Sequence, residues 1–180
     1  MRIIVIGAGG TGGYFGGLLA RAGEDVTFLS RGKQLEALRT HGLTVKSRLA
    51  GTFSLPVHAT SDPQEIGPVD LVLFCVKTND TMAAIEGLRL FIRSETIVLP
   101  IQNGIDTAER LSQEVEKQRI IGGVAYVTSQ IESPGVIAQT AGSGSIELAG
   151  GQSESTQRLQ QMLRRAGISV ELPHDIRVTL

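Results

Sequence analysis

The run Ile3-Ile4-Val5-Ile6, followed at once by Gly7-Ala8-Gly9-Gly10-Thr11-Gly12, constrains this chain more than any other stretch. Four β-branched apolar residues without polar alternation suit a strand covered on both faces, as in a parallel sheet between helices. Gly7 ends the run. Helical spacing then places Tyr14, Leu18 and Ala22 on one face, with Gly23 as the stop. A strand, a G-x-G-x-x-G turn and a helix in that order are the fingerprint of a dinucleotide-binding βαβ unit. Gly7 permits the tight turn, Gly9 lets backbone approach a pyrophosphate, and Gly12 lets the helix lie close on the sheet. The free amides and positive dipole of the helix start then face the phosphates. By itself such a motif also fits a structural turn that binds nothing; its place between a buried strand and a helix favours the ligand. Gly7, Ala8, Gly9, Gly10, Thr11 and Gly12 are therefore candidate cofactor contacts. Gly13, Gly16 and Gly17 read as helix-packing positions.

The end of the next strand decides which dinucleotide is expected. Val26-Thr27-Phe28-Leu29 is that strand, and Ser30-Arg31-Gly32-Lys33 follows it. An NAD site places a carboxylate there for the ribose 2′-hydroxyl. This chain has none. Arg31 offers a planar fork for a 2′-phosphate, Ser30 a further donor, and Lys33 additional charge. The plainer reading of Arg31 is a solvated surface arginine. The missing acid and the present base together favour NADP(H).

The remaining pattern extends the same architecture. A short helix is expected over residues 34–41. Residues 43–46 and 52–58 read as an antiparallel excursion around Gly51, with Pro56 confining the second strand to an edge. Buried strands are expected at 70–76 and 96–100, and helices at 80–91, capped by Thr78 or Asn79, and at 106–115. Strands follow at 120–129, 136–140 and 145–148. Leu159, Met162, Leu163 and Ala166 mark a helix, and 168–172 a last strand. Alternation at this spacing predicts a Rossmann-type, doubly wound α/β domain over residues 1–172, with a mostly parallel sheet and a strand-rich C-terminal half.

Composition narrows the function classes. The chain has 180 residues, 17 basic and 18 acidic, so no basic face for nucleic acid is expected. Nor does any apolar run approach membrane-spanning length. Cys75 is the one cysteine, in an apolar run, and reads as an inert strand residue. A soluble cytoplasmic protein is expected. His41, His58 and His174 show no metal-ligand spacing, and no metal site is expected.

The ordered set Gly7 to Gly12, Ser30-Arg31, Val76-Lys77-Thr78, Gln102-Asn103-Gly104 and Asp175-Ile176-Arg177 resembles the N-terminal domain of the ketopantoate reductases (2-dehydropantoate 2-reductases). On the residues alone, Lys77 reads as a solvated strand-end lysine and Asn103 as an Asn-Gly turn residue. The resemblance implies other roles: Lys77 beside the cofactor, and Asn103 near the nicotinamide, touching both cofactor and substrate. It also implies NADPH-dependent reduction of 2-dehydropantoate to pantoate, on the route to pantothenate and coenzyme A. In that family a helix continues past the equivalent of residues 173–180 into a helical C-terminal domain, missing here, which carries the proton-donating lysine. No catalytic residue is thus expected between Met1 and Leu180. A different small 2-keto acid as substrate, or a non-catalytic NADP(H)-binding or sensing module, are the rival readings. A homodimer is compatible with the sequence but not specified by it.

Overall fold

The computed structural model describes residues 1–76, 81–101, 106–149, 151 and 153–172. The chain begins with β1 (Arg2–Ile6), α1 (Gly10–Arg21), β2 (Asp25–Leu29) and α2 (Gly32–His41). An antiparallel pair, β3 (Leu43–Ser47) and β4 (Gly51–Leu55), precedes β5 (His58–Thr60), β6 (Leu71–Phe74), α3 (Thr81–Glu86), β7 (Ile97–Pro100) and α4 (Asp106–Leu111). Then come β8 (Gly123–Ser133), β9 (Val136–Leu148), α5 (Glu154–Arg165) and β10 (Val170–Glu171).

Five strands form a wholly parallel sheet in the order β5-β2-β1-β6-β7. This is the doubly wound order, with the chain reversing direction across the sheet between β1 and β6. Alternate residues of the buried strands serve opposite faces. Ile3, Val5, Leu71, Leu73 and Leu99 pack toward α1 and the second sheet. Ile4, Ile6, Val72, Phe74 and Val98 pack toward Ile85, Leu88, Phe91 and Leu111 on the other side. Both faces are covered, which is why these strands carry no polar alternation.

The strand-rich half builds a second sheet. β8 runs antiparallel along one edge of β9, whose other edge takes β3 at residues 136–139 and β10 at residues 146–147. Helix α1 lies between the two sheets, and its glycines explain how. A Cβ at Gly16 would sit 2.6 Å from Phe28, and one at Gly12 2.1 Å from the Gly7 carbonyl, both in the first sheet's layer. A Cβ at Gly13 would sit 2.6 Å from Ile137, and one at Gly17 2.9 Å from Val45, both in the second. Two adjacent i,i+4 glycine rows thus let one helix approach two sheets.

Several expectations need correction. Residues 52–58 are not one strand: β4 ends at Leu55 on the edge of the second sheet, and after Pro56-Val57 the chain enters the first sheet as β5. Proline cannot donate to a ladder, so the crossing falls there. The pieces expected at 136–140 and 145–148 are one strand of 13 residues. Gly142, at φ +86°, bends it instead of ending it, and a Cβ there would meet the Tyr126 carbonyl at 2.5 Å. The helix expected to Phe91 tightens at Gly87 into a 3₁₀ turn over Gly87–Leu90, and the one expected to Val115 stops at Leu111. The strand expected from Ile120 starts at Gly123, and the last strand shortens to Val170–Glu171. Ala22 caps α1 exposed, while Phe15 and Leu19 join Tyr14 and Leu18 in the core. The expected caps Thr78 and Asn79, and residues 173–180, lie outside the described residues. No helix among the described residues is long and apolar enough to cross a membrane.

Candidate functional site

The C-terminal ends of β1, β2 and β6 open onto a cleft of about 340 Å³. Gly7, Ala8, Gly9, Ser30, Arg31 and Gln34 line it, together with Val76, Phe91, Pro63 and Ile131. An open α/β sheet binds its ligand at this place, where strand order reverses.

Gly7 sits at φ +98°, and a Cβ there would lie 2.8 Å from the Cys75 carbonyl. Only glycine turns the chain this sharply where β1 and β6 end side by side. Gly9 differs in kind: a Cβ there would meet nothing within 4 Å. Protein packing does not demand a glycine at this position, whereas a ligand lying on the backbone would. Gly9 caps α1 in extended geometry with no side-chain cap, and the first turn carries no acid. Gly10 and Gly12 have packing reasons, since their Cβ positions are closed at 2.1 Å by the Ser129 and Gly7 carbonyls. Of the six glycine-turn candidates, Gly7, Ala8 and Gly9 line the cleft directly; Gly10, Thr11 and Gly12 continue into the helix behind it.

Ser30 and Arg31 reach the same cleft from β2. The Ser30 N–H donates to the Thr60 carbonyl at 2.9 Å, continuing the ladder to β5. Arg31 caps α2 with extended backbone, and its side chain is exposed at the cleft edge. Among the described residues its guanidinium has no hydrogen bond or ion pair. Arg39, two turns on, shows the contrast. Its guanidinium is held by the Ala59 carbonyl at 2.9 Å, by Thr60 Oγ1 and by Glu65. Lys77 and Asn103 lie outside the described residues; they follow Val76 and Gln102 in sequence, beyond the ends of β6 and β7. Burial pushes the Cys75 thiol far above its usual range, so it stays neutral. Among the described residues no cluster of His, Cys, Asp or Glu is placed to hold a metal.

Sequence reasoning missed Gln34. Its Nε2 donates to the Ala8 carbonyl at 3.1 Å, and its Oε1 accepts from the Gly135 N–H at 2.9 Å. The signal was a polar residue one turn into α2, too common to notice without the loop it touches.

The fold and cleft define a Rossmann-type domain with a glycine turn at the carboxyl ends of its parallel strands. The chain matches the family model described as Ketopantoate reductase PanE/ApbA over residues 3–152. It belongs to that family. It is 32% identical over 162 residues to the uncharacterized oxidoreductase YkpB of Bacillus subtilis, covering 90% of this chain and 53% of that one. It is 33% identical over 182 residues to a 2-dehydropantoate 2-reductase of Pyrococcus horikoshii, covering 98% and 57%. The crystal structure of a 2-dehydropantoate 2-reductase from Geobacter metallireducens superposes with a TM-score of 0.88 at 39% identity, covering 95% of this chain and 57% of that one. The chain spans little more than half the length of the curated relatives it matches.

Proposed function

We propose that this chain is the nucleotide-binding half of an NADPH-dependent reductase of 2-dehydropantoate, acting in the cytoplasm on the route to pantothenate and coenzyme A. Family membership supports the reaction class. One observation supports the cofactor: an exposed Arg31, without a partner among the described residues, shares a cleft with a glycine turn whose central position, Gly9, faces open space. Gly7, Ala8, Gly9 and the start of α1 would hold the pyrophosphate, and Ser30 and Arg31 the 2′-phosphate. NADPH bound there supplies a hydride. The protein's share is orientation, for which the resemblance offers Lys77 beside the cofactor and Asn103 near the nicotinamide. The Bacillus relative, whose name specifies an oxidoreductase and no substrate, favours a second reading in which another small 2-keto acid is reduced.

Reduction of a ketone needs a positioned proton donor. Family resemblance assigns that donor, and the opposite wall of the substrate site, to sequence beyond Leu180. The 180-residue chain is therefore expected to quench NADPH fluorescence on binding and to prefer NADPH over NADH. It should show no measurable oxidation when 2-dehydropantoate is added, since losing a general acid alone costs about 10²–10⁴-fold. Equal affinity for both cofactors would overturn the NADP reading, and robust turnover by this chain would overturn the division of labour.

A further inference from the structure

The Gln34 side chain makes two hydrogen bonds to partners far apart in sequence: the carbonyl of Ala8 in the glycine turn and the N–H of Gly135 in the β8–β9 turn. The orientation of its amide is unambiguous, because a carbonyl only accepts and a backbone N–H only donates. A trans peptide is planar, with its C=O and N–H pointing opposite ways. Among the described residues no peptide is cis. A hand on the Ala8 carbonyl therefore also sets the direction of the Gly9 N–H, which points away from α2. That N–H donates no backbone hydrogen bond among the described residues. The space a Gly9 side chain would occupy is open, and Gly9 and Gln34 both line the cleft.

From this geometry we infer that Gln34 is a positioning residue for the dinucleotide's pyrophosphate: it locks the Ala8–Gly9 peptide so that the Gly9 N–H is presented to a phosphate oxygen before the ligand arrives. The inference rests on the cofactor reading above. Without the clamp the peptide is free to rotate, and binding must then order it. The same amide ties the β8–β9 turn to α2. Arg31 distinguishes the two cofactors, whereas Gln34 acts on the part they share.

Gln34→Glu removes the donor to Ala8 but adds a negative charge to the cleft, so it is read beside Gln34→Met, which removes both hydrogen bonds and adds no charge. A carboxylate still accepts from the Gly135 N–H but cannot donate to the Ala8 carbonyl; a protonated carboxyl does both. At pH 8 the variant should bind NADPH and NADH each about tenfold more weakly than wild type, leaving their ratio unchanged. With NAD⁺, which has no 2′-phosphate to titrate and is stable in acid, the affinity of Gln34→Glu should rise toward the wild-type value as pH falls through the ordinary glutamate range, about pH 4.3. Gln34→Met, which has no ionisable group, should lose about tenfold in affinity for both cofactors at pH 8, and its NAD⁺ loss should not recover on acidification. Thermal unfolding without ligand identifies the folded range in which all titrations are made. A loss under twofold at pH 8 in either variant, a loss confined to NADPH, or no recovery of Gln34→Glu on acidification to about pH 4 would overturn the assignment. Should wild type bind neither cofactor, it is the cofactor reading that fails, and the Gln34 assignment fails with it.

Discussion

The two sheets bury their residues by different rules. In the parallel sheet β1, β6 and β7 are buried from end to end apart from Arg2, so every side chain is core and only the strand ends are free for chemistry. In the second sheet β4 from Thr52 and β8 over residues 123–130 alternate half-buried with exposed positions, with Val124 and Tyr126 on the open face. A sheet closed on both faces works as a rigid shelf whose lip carries function. A sheet open on one face works as a wall, here the one against which α1 leans.

Truncating an aromatic in each sheet tests that contrast most strongly. Phe28 in β2 is fully buried, and Phe28→Ala should cost about 3–5 kcal/mol in denaturant unfolding. Phe53 in β4 is only partly buried, with the Arg21 guanidinium 4.2 Å from its ring centroid, and Phe53→Ala should cost about 1–2 kcal/mol. Equal losses would remove the distinction between shelf and wall.

Arg31→Ala tests the lip. It should weaken NADPH binding about ten- to hundredfold, equivalent to about 1.5–3 kcal/mol, with little effect on NADH or on stability. Calorimetry with both cofactors reads this directly, and equal losses would show that Arg31 does not select between them.

Gly13→Ala tests how α1 meets the wall. Its new methyl would lie 2.6 Å from Ile137 Cγ1. Overpacking of about 1–3 kcal/mol is partly offset by the roughly 1 kcal/mol that alanine gains over glycine in a helix. The penalty should shrink when combined with Ile137→Ala, and additive losses would show that the two positions do not meet.

The smallest effect concerns Asp70 at the far end of the parallel sheet. The Arg2 N–H donates to Asp70 Oδ2 at 2.8 Å and the Arg93 guanidinium pairs with Oδ1; together they hold this carboxyl below its usual value. A depressed carboxylate stabilises the fold above its unfolded value, near pH 4, and the gain fades as pH falls through the folded value. The Asp70→Asn variant should be less stable by under about 1 kcal/mol at pH 7 and indistinguishable from wild type near pH 2. A difference that persists at pH 2 would mean that the lost contact is not electrostatic.

Legibility in the sequence followed the same division. The parallel strands and α1 were readable because burial on both faces leaves unbroken apolar runs, and the glycine turn because its spacing is mechanical. The second sheet was read in pieces. The Ala141-Gly-Ser-Gly144 stretch looks like a break, although Gly142 only bulges β9, and Pro56 looked like an edge marker when it also separates two strands. At the candidate site, Gly7, Gly9, Ser30 and Arg31 were found by residue type and spacing. Gln34 was not, because its role exists only once residues 8, 34 and 135 are brought together.

The position of β3 has a consequence for the order in which the molecule assembles. Its residues 44–47 lie beside residues 136–139 of β9. β1, α1 and β2 neighbour one another in sequence and meet early; β3 finds its parallel partner only after most of the chain exists. Closing so long a loop costs entropy before any contact repays it, and pairings of this kind slow folding. On a ribosome, the Gly13 position of α1, which packs on Ile137, stays uncovered until β9 emerges, and that interval leaves a nascent chain open to misassociation.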